Sequence, residues 1–224
     1  MALARLAERP EFTPSVTFPE GELYDFRFRV LLGEEAWHRL PEAVRARFSH
    51  RYAGGRTVAY AGIVDEIRIS LPGLVVSRLV RLLGGPLPMS RDTGVPTVVT
   101  VTEDVPTGGQ VWSRLFARRK GFPQVIHSAK RFSGPTGLEE VVGFNIGMAL
   151  AVGVSDTGIT FTSRGYFWQV LGRRIPVPAL LTPGHLVVTH EDGGAGTFRF
   201  TLRLVHPVLG ELVHQVASYR EAVR

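Results

Sequence analysis

The sequence predicts an α+β domain that is mainly β, an antiparallel meander curved into a β-barrel or strongly bent sheet and capped by two or three short helices. Three observations carry that expectation. From residue 95 onward, strand-like segments recur at spacings of about ten residues. The segments between them are short and rich in Gly, Pro and Asp, and short connections join antiparallel strands, because parallel ones need long crossovers. Helical periodicity is strongest in two stretches before residue 90.

Taken in order, residues 1–20 carry three prolines and little periodicity and read as an N-terminal arm, with 21–224 as a single barrel-like domain. FRFRVLL (26–32) alternates and reads as a first strand. In 33–50, Trp37, Leu40, Val44 and Phe48 recur at three- and four-residue steps, and Glu34 and Glu35 suit a first helical turn. Pro41 divides that helix in two, since proline fits a first helical position better than an interior one. Residues 56–70 are rich in β-branched residues and read as a strand. LPGLVVSRLVRLLGGPLP (71–88) reads as a helix with a wide apolar arc and a polar edge of Ser77, Arg78 and Arg81. Strands are then expected over 95–104, 110–118, 123–132, 138–152, 158–170, 185–192, 197–206 and 211–220, with a short helical cap over 177–184. Eight or nine such strands curl, and the helices cover an opening.

Composition narrows the chemistry. Hydrophobic residues are 44% and charged residues 21%, which is globular and not disordered. The net charge is +6, and Lys120 and Lys130 are the only lysines beside 24 arginines (26 basic residues less 2). A GC-rich coding genome accounts for that bias, and so does a surface for phosphate, carboxylate or lipid head groups. The absence of cysteine excludes disulfides, thiolate metal sites and a cysteine nucleophile. The N-terminal residues lack an apolar stretch of signal-peptide length, and no stretch reaches the ~18 apolar residues of a membrane span, so a cytoplasmic location is expected.

The order of motifs resembles a bacterial family known as domain of unknown function 4166. The resemblance rests on L-G-x-x-x-W-x-x-L-P (Leu32 to Pro41), a leucine-rich helix ending near Leu83 to Pro88, and Trp112, Arg114 and Phe116. It continues with Glu140 and Gly143, a proline segment through Pro176, Pro178, Leu181 and Pro183, Phe198 and Phe200, and His206 to Leu212. The chain departs from the family at Gln215 and Ala217, where an aromatic residue and a glycine are usual. The resemblance implies little chemistry beyond a link to reductases, since members often follow a dinucleotide-binding reductase-like domain. No G-x-G-x-x-G follows a strand here, so no cofactor is expected and any reductase partner would be a separate chain.

Seven histidines form no H-x-x-x-H or H-E-x-x-H pair, and no G-x-S-x-G elbow exists, so neither a metal nor a serine nucleophile is expected. Strand parity gives the more useful clue. Asp65 shares a face with Ala59, Ala61, Ile63, Ile67 and Ile69; Glu140 with Leu138, Val142, Phe144 and Ile146; Arg114 lies between Trp112 and Phe116. Ionisable groups on apolar faces need partners or a wet cavity, or else a bulge that turns them to solvent. Glu140, Asp65 and Arg114 are thus candidates for proton transfer and anion anchoring, with His127 a further one. Trp112, Phe116, Phe144 and Tyr60 are the expected apolar ligand contacts. The leading expectation is a hydrophobic, lipid- or polyketide-like small molecule bound in a barrel cavity. The alternatives are a cofactor-independent cyclase or isomerase built on an internal Arg–carboxylate pair, and an accessory subunit of a reductase. VWSRLFARRKGF (111–122) has the aromatic–arginine pattern of a nucleic-acid strand, but the basic residues are scattered over many strands, so no nucleic acid is expected. A plug or lid is favoured over a membrane contact for the helix near 73–84.

Overall fold

Among the described residues, runs of β-branched and aromatic residues between glycine-rich turns form eleven strands, and ten of them close into an antiparallel barrel. The structure is a computed structural model that describes residues 24–222 except 55, 83, 85 and 86; the arm expected over 1–20 lies outside the described residues. Three short helices come first: α1 (Arg27–Leu32), α2 (Glu34–Arg39) and α3 (Glu42–Ser49). β1 (Thr57–Ile69) and α4 (Leu71–Leu82) precede a meander of β2 (Pro96–Asp104), β3 (Gly109–Phe116), β4 (Gln124–Arg131), β5 (Glu139–Val141) and β6 (Ile146–Ser155). The chain finishes with β7 (Gly158–Val170), β8 (Arg173–Pro176), β9 (His185–Gly194), β10 (Thr197–His206) and β11 (Gly210–Glu221).

Neighbouring strands run β6-β5-β4-β3-β2-β1-β11-β10-β9-β7, and β7 pairs back onto β6, which closes the ring and removes its edges. β8 lies outside the ring, paired with the last residues of β7 from Phe167↔Pro176 to Val170↔Arg173.

Two expected elements are corrected. Residues 26–32 are a helix and not a strand, because Phe28, Leu31 and Leu32 at helical spacing all reach the core, where Phe28 packs edge-on against Phe48 and Phe132 at 5.0 Å. The strand expected over 138–152 is broken into β5 and β6 by a 3-10 turn at Gly143–Asn145, in which Phe144 (φ 58°) and Asn145 (φ 56°) are left-handed. The division at Pro41 and a short 3-10 turn at Ala179–Leu181 agree with the sequence reading.

Antiparallel order sends alternate connections to opposite ends of the barrel. Helices α1–α3 close one end, where Phe28 and Phe48 meet Phe161 of β7. The other end carries α4, the β3–β4 turn, the Gly143–Asn145 turn and the 171–184 segment. There α4 lies against β11 with its smallest residues inward: Gly73 and Ser77 are buried, and a Cβ on Gly73 would sit 2.1 Å from the Leu212 carbonyl oxygen. Ser77, expected on the polar edge, therefore faces the barrel instead. Because backbone blocks that Cβ, Gly73→Ala is expected to cost about 1–3 kcal/mol through displacement of α4, read as a lowered urea midpoint.

Candidate functional site

Four adjacent strands build one charged patch on the inner wall. On β3 the inward residues are Gln110, Trp112, Arg114 and Phe116; on β4 they are Ile126, Ser128 and Lys130; β5 adds Glu140 and β6 adds Met148. Register sets the patch, because Lys130 is paired with Glu140, Trp112 with Ser128, and Glu140 with Met148. Lys130 Nζ donates to Glu140 Oε2 at 3.0 Å, Ser128 Oγ donates to Oε1 at 2.6 Å, and Arg114 Nη2 approaches Oε1 at 3.4 Å. Arg114 Nη1 also donates to Ser128 at 3.0 Å. The Lys130 ammonium stands 4.9 Å from the Trp112 ring centre, within cation–π range.

Charge is unbalanced in this patch. Two basic side chains share one carboxylate, so basic groups outnumber acids in the cluster. Burial disfavours the Glu140 carboxylate, but Lys130, Arg114 and the Ser128 hydroxyl outweigh it and hold its pKa down at about 2. Burial also lowers the pKa of Lys130, against the pull of Glu140, with the nearby Arg114 charge acting in the same direction as burial. The close Nζ–Oε2 contact pairs Lys130 with the ionised Glu140, and Lys130 is the more weakly held charge of the two.

Beside the patch lies a cavity of about 90 Å³, lined among others by Tyr60, Trp112, His190, Phe198, Phe200 and Tyr219. A water needs ~10–15 Å³ on this measure, so the space exceeds one or two waters. A second space of about 150 Å³ lies toward the α4 end, among Val80, Val142, Tyr166 and Leu181. Leu87, Glu140, Met148 and Leu186 line both and form the partition between them. Met148 is the adaptable member of that partition, since its unbranched side chain changes rotamer at low cost.

His190 lies 3% exposed on the cavity wall, stacked on Phe198 at a centroid distance of 4.4 Å, and its Nδ1 is buried with no hydrogen-bond partner. Burial, assisted by the Arg47 charge, lowers its pKa to about 3, so the ring is neutral. Tyr60 is raised by burial and by its neighbour Tyr52.

The structure brings together Glu140, Arg114, Trp112, Phe116 and Tyr60, and separates the other candidates from them. Asp65 is exposed on the outside of β1, where Ser218 Oγ donates to it at 2.6 Å. The cause is a bulge between Val64 and Glu66: Tyr60 and Val64 point inward before it, and Ile69 is buried after it, so one parity cannot hold across the strand. His127 is likewise on the outer face, paired with Ser113 at 2.9 Å, with Val125 beside it half exposed. Phe144, at the tip of its left-handed turn, is 69% exposed and lines neither internal space.

Sequence reasoning missed Lys130 and His190. The signal for Lys130 was available: it shares parity with Ile126 and Ser128 and is one of two lysines in an arginine-rich chain. Gln215 and Ala217, where the chain departs from the motifs noted above, both line the 90 Å³ cavity. Among the described residues, no three His, Asp or Glu side chains converge as a metal site requires. The family described as Domain of unknown function (DUF4166) matches over residues 40–218 of the chain. No curated protein and no solved structure matches it.

Proposed function

Because the chain belongs to the DUF4166 family, whose description names no activity, we propose from the interior alone that the barrel binds a hydrophobic small molecule. The supporting observation is an aromatic-lined cavity on whose wall two basic side chains, Arg114 and Lys130, share one carboxylate, with Arg47 lining it as well. An unbalanced buried charge is costly, and an anionic or strongly polar end group on the ligand would relieve it. The ligand class is therefore lipid- or polyketide-like with one carboxylate or enolate oxygen toward Arg114 and Lys130, and its apolar body toward the aromatic wall.

Decanoic acid and decanol are suitable probes, followed through fluorescence of the buried Trp112. Saturable binding is expected for both, about tenfold tighter for the acid, and Lys130→Met should erase that preference while leaving decanol unchanged. Absence of saturable binding of either probe, together with no small molecule retained in native mass spectrometry of the protein from its host, would sink the reading.

A cyclase or isomerase working on the same ligand is the second reading, favoured by Glu140 and Arg114 standing together at the cavity wall. It carries less weight. Glu140 is already bonded by three donors and weakly basic, and Asp65 and His127 stand outside the barrel. Turnover of a ligand recovered from the host, abolished by Glu140→Gln without loss of affinity, would reverse that order. A role as accessory subunit to a reductase rests on the family resemblance, and co-purification tests it.

A further inference from the structure

We infer that the α4 end of the barrel is a docking surface for a membrane bearing anionic lipids. The inference goes beyond ligand binding in the cavity and stands on separate observations.

The first is the inverted polarity of α4. A helix that only covers a barrel buries its large apolar residues. Here Gly73 and Ser77 are the fully buried residues and Leu74, Val76 and Val80 are partly buried against the core, while Leu71, Val75, Leu79 and Leu82 are 54–76% exposed on one outer stripe, with Arg78 and Arg81 exposed beside it. The second is continuity. A Cβ on Gly84 would meet Gly143 at 2.8 Å, Trp168 Nε1 donates to the Phe144 carbonyl at 2.9 Å, and Val80, Val142 and Leu181 share one cavity. The exposed side chains Phe122, Phe144, Trp168, Leu171, Leu180 and Leu181 therefore belong to the same end as the stripe. More than half of the large apolar side chains exposed among the described residues lie there. A patch of that size on a protein surface marks an interaction site, and Trp and Phe at its edge suit a membrane interface.

Charge selects the occupant. Between residues 67 and 190 the acids are Asp92, Glu103, Asp104, Glu139, Glu140 and Asp156. Glu139 and Glu140 are buried against Arg174 and Lys130, and Glu103 and Asp104 at the end of β2 and Asp156 in the β6–β7 turn lie at the opposite end. Asp92 is engaged by Ser90 and the Arg119 amide, and Glu211, at the foot of α4, is held by Arg203 at 3.0 Å. What this end presents outward is basic: Arg78, Arg81, Arg118, Arg119, Lys120 and Arg173 are all exposed. A groove of about 520 Å³ between the end of α4 and the β3–β4 turn is lined by Arg81, Arg118, His127 and Phe122, with no acid among its lining residues. An apolar stripe bordered by arginines and a cationic groove fit insertion into the headgroup region of an anionic leaflet. They fit an ordinary dimer contact poorly, since two copies would bring like charges together.

The test is co-sedimentation of the full chain with vesicles of phosphatidylcholine alone and of phosphatidylcholine mixed with phosphatidylglycerol. Binding is expected to be about tenfold or more stronger to the anionic vesicles, to weaken with salt, and to fall by at least tenfold in the Leu79→Glu/Leu82→Glu and Arg78→Glu/Arg81→Glu variants. Both pairs are exposed, so unchanged melting temperatures verify the fold. No sedimentation, equal sedimentation of wild type and both variants, or a dimer in light scattering that Leu79→Glu/Leu82→Glu abolishes would overturn the inference, the last assigning the face to a second copy. Decanoic acid binding is expected to persist in these variants. Absence of decanoic acid binding to the wild type, with vesicle binding intact, tells against the cavity reading alone.

Discussion

Replacing Glu140 with alanine is expected to destabilise the protein by about 3–5 kcal/mol, the range for stranding a buried charge. Lys130 and Glu140 have side chains 4% and 8% exposed, and Arg114 is 16% exposed. With Glu140 gone, two cations face an apolar cavity with Ser128 as the remaining polar neighbour. The companion variant Glu140→Leu/Lys130→Met removes the more buried pair and leaves Arg114, the most exposed of the three, so it is expected to recover part of the loss, since apolar groups of similar volume substitute for buried pairs at little cost. Urea denaturation of Glu140→Leu, Lys130→Met and the double gives the coupling directly. A single-variant loss below about 1 kcal/mol would mean that solvent already screens the patch, and the argument for an uncompensated charge would fall with it.

Stability is expected to fall steeply as the pH drops below about 6.5, and His190 is the leading cause. Its pKa is about 3 folded against an ordinary 6.5, so between those values the unfolded chain binds a proton that the folded protein excludes. The folded state thus loses about 1.4 kcal/mol per pH unit from this group as acid is added through that window. Glu140 acts in the same sense at lower pH: with a folded pKa of about 2 against 4.5, its contribution is full above 4.5 and is lost on descent toward 2. His190→Leu should flatten the profile between pH 6.5 and 4.5 by up to one proton. At neutral pH it should cost little, because the buried Nδ1 has no hydrogen-bond partner to lose. An unchanged slope in the variant would show that the ring is wetter than its packing among Phe48, Phe198 and Phe200 implies.

Much of the barrel was legible because alternation and turn chemistry are local properties. Residues 198–204 read Phe-Arg-Phe-Thr-Leu-Arg-Leu, and they lie within β10 with Phe198 and Leu204 buried. Asp156-Thr157-Gly158 marks the turn between β6 and β7, and Pro41 splits the second and third helices. The inner position of Arg114 also followed from parity, because β3 pairs with both its neighbours without a register shift.

Failures occurred where parity was interrupted or depended on neighbours. The bulge beside Asp65 and the left-handed turn at Phe144 each reverse or end an alternation, and neither carries a signal in its own few residues. His127 and Lys130 sit on opposite faces of β4, and only the pairing of Lys130 with Glu140 decides which face is the interior. The sequence alone determined the strands, the short helices and the presence of charges among apolar residues, since these depend on neighbours along the chain. Tertiary structure alone decided that Lys130 joins Glu140, that His190 is buried, and that α4 turns Leu71, Leu79 and Leu82 outward. Those outcomes depend on closure of the ring, on cross-strand register and on the space beside Leu212, which separate residues far apart in sequence must set together.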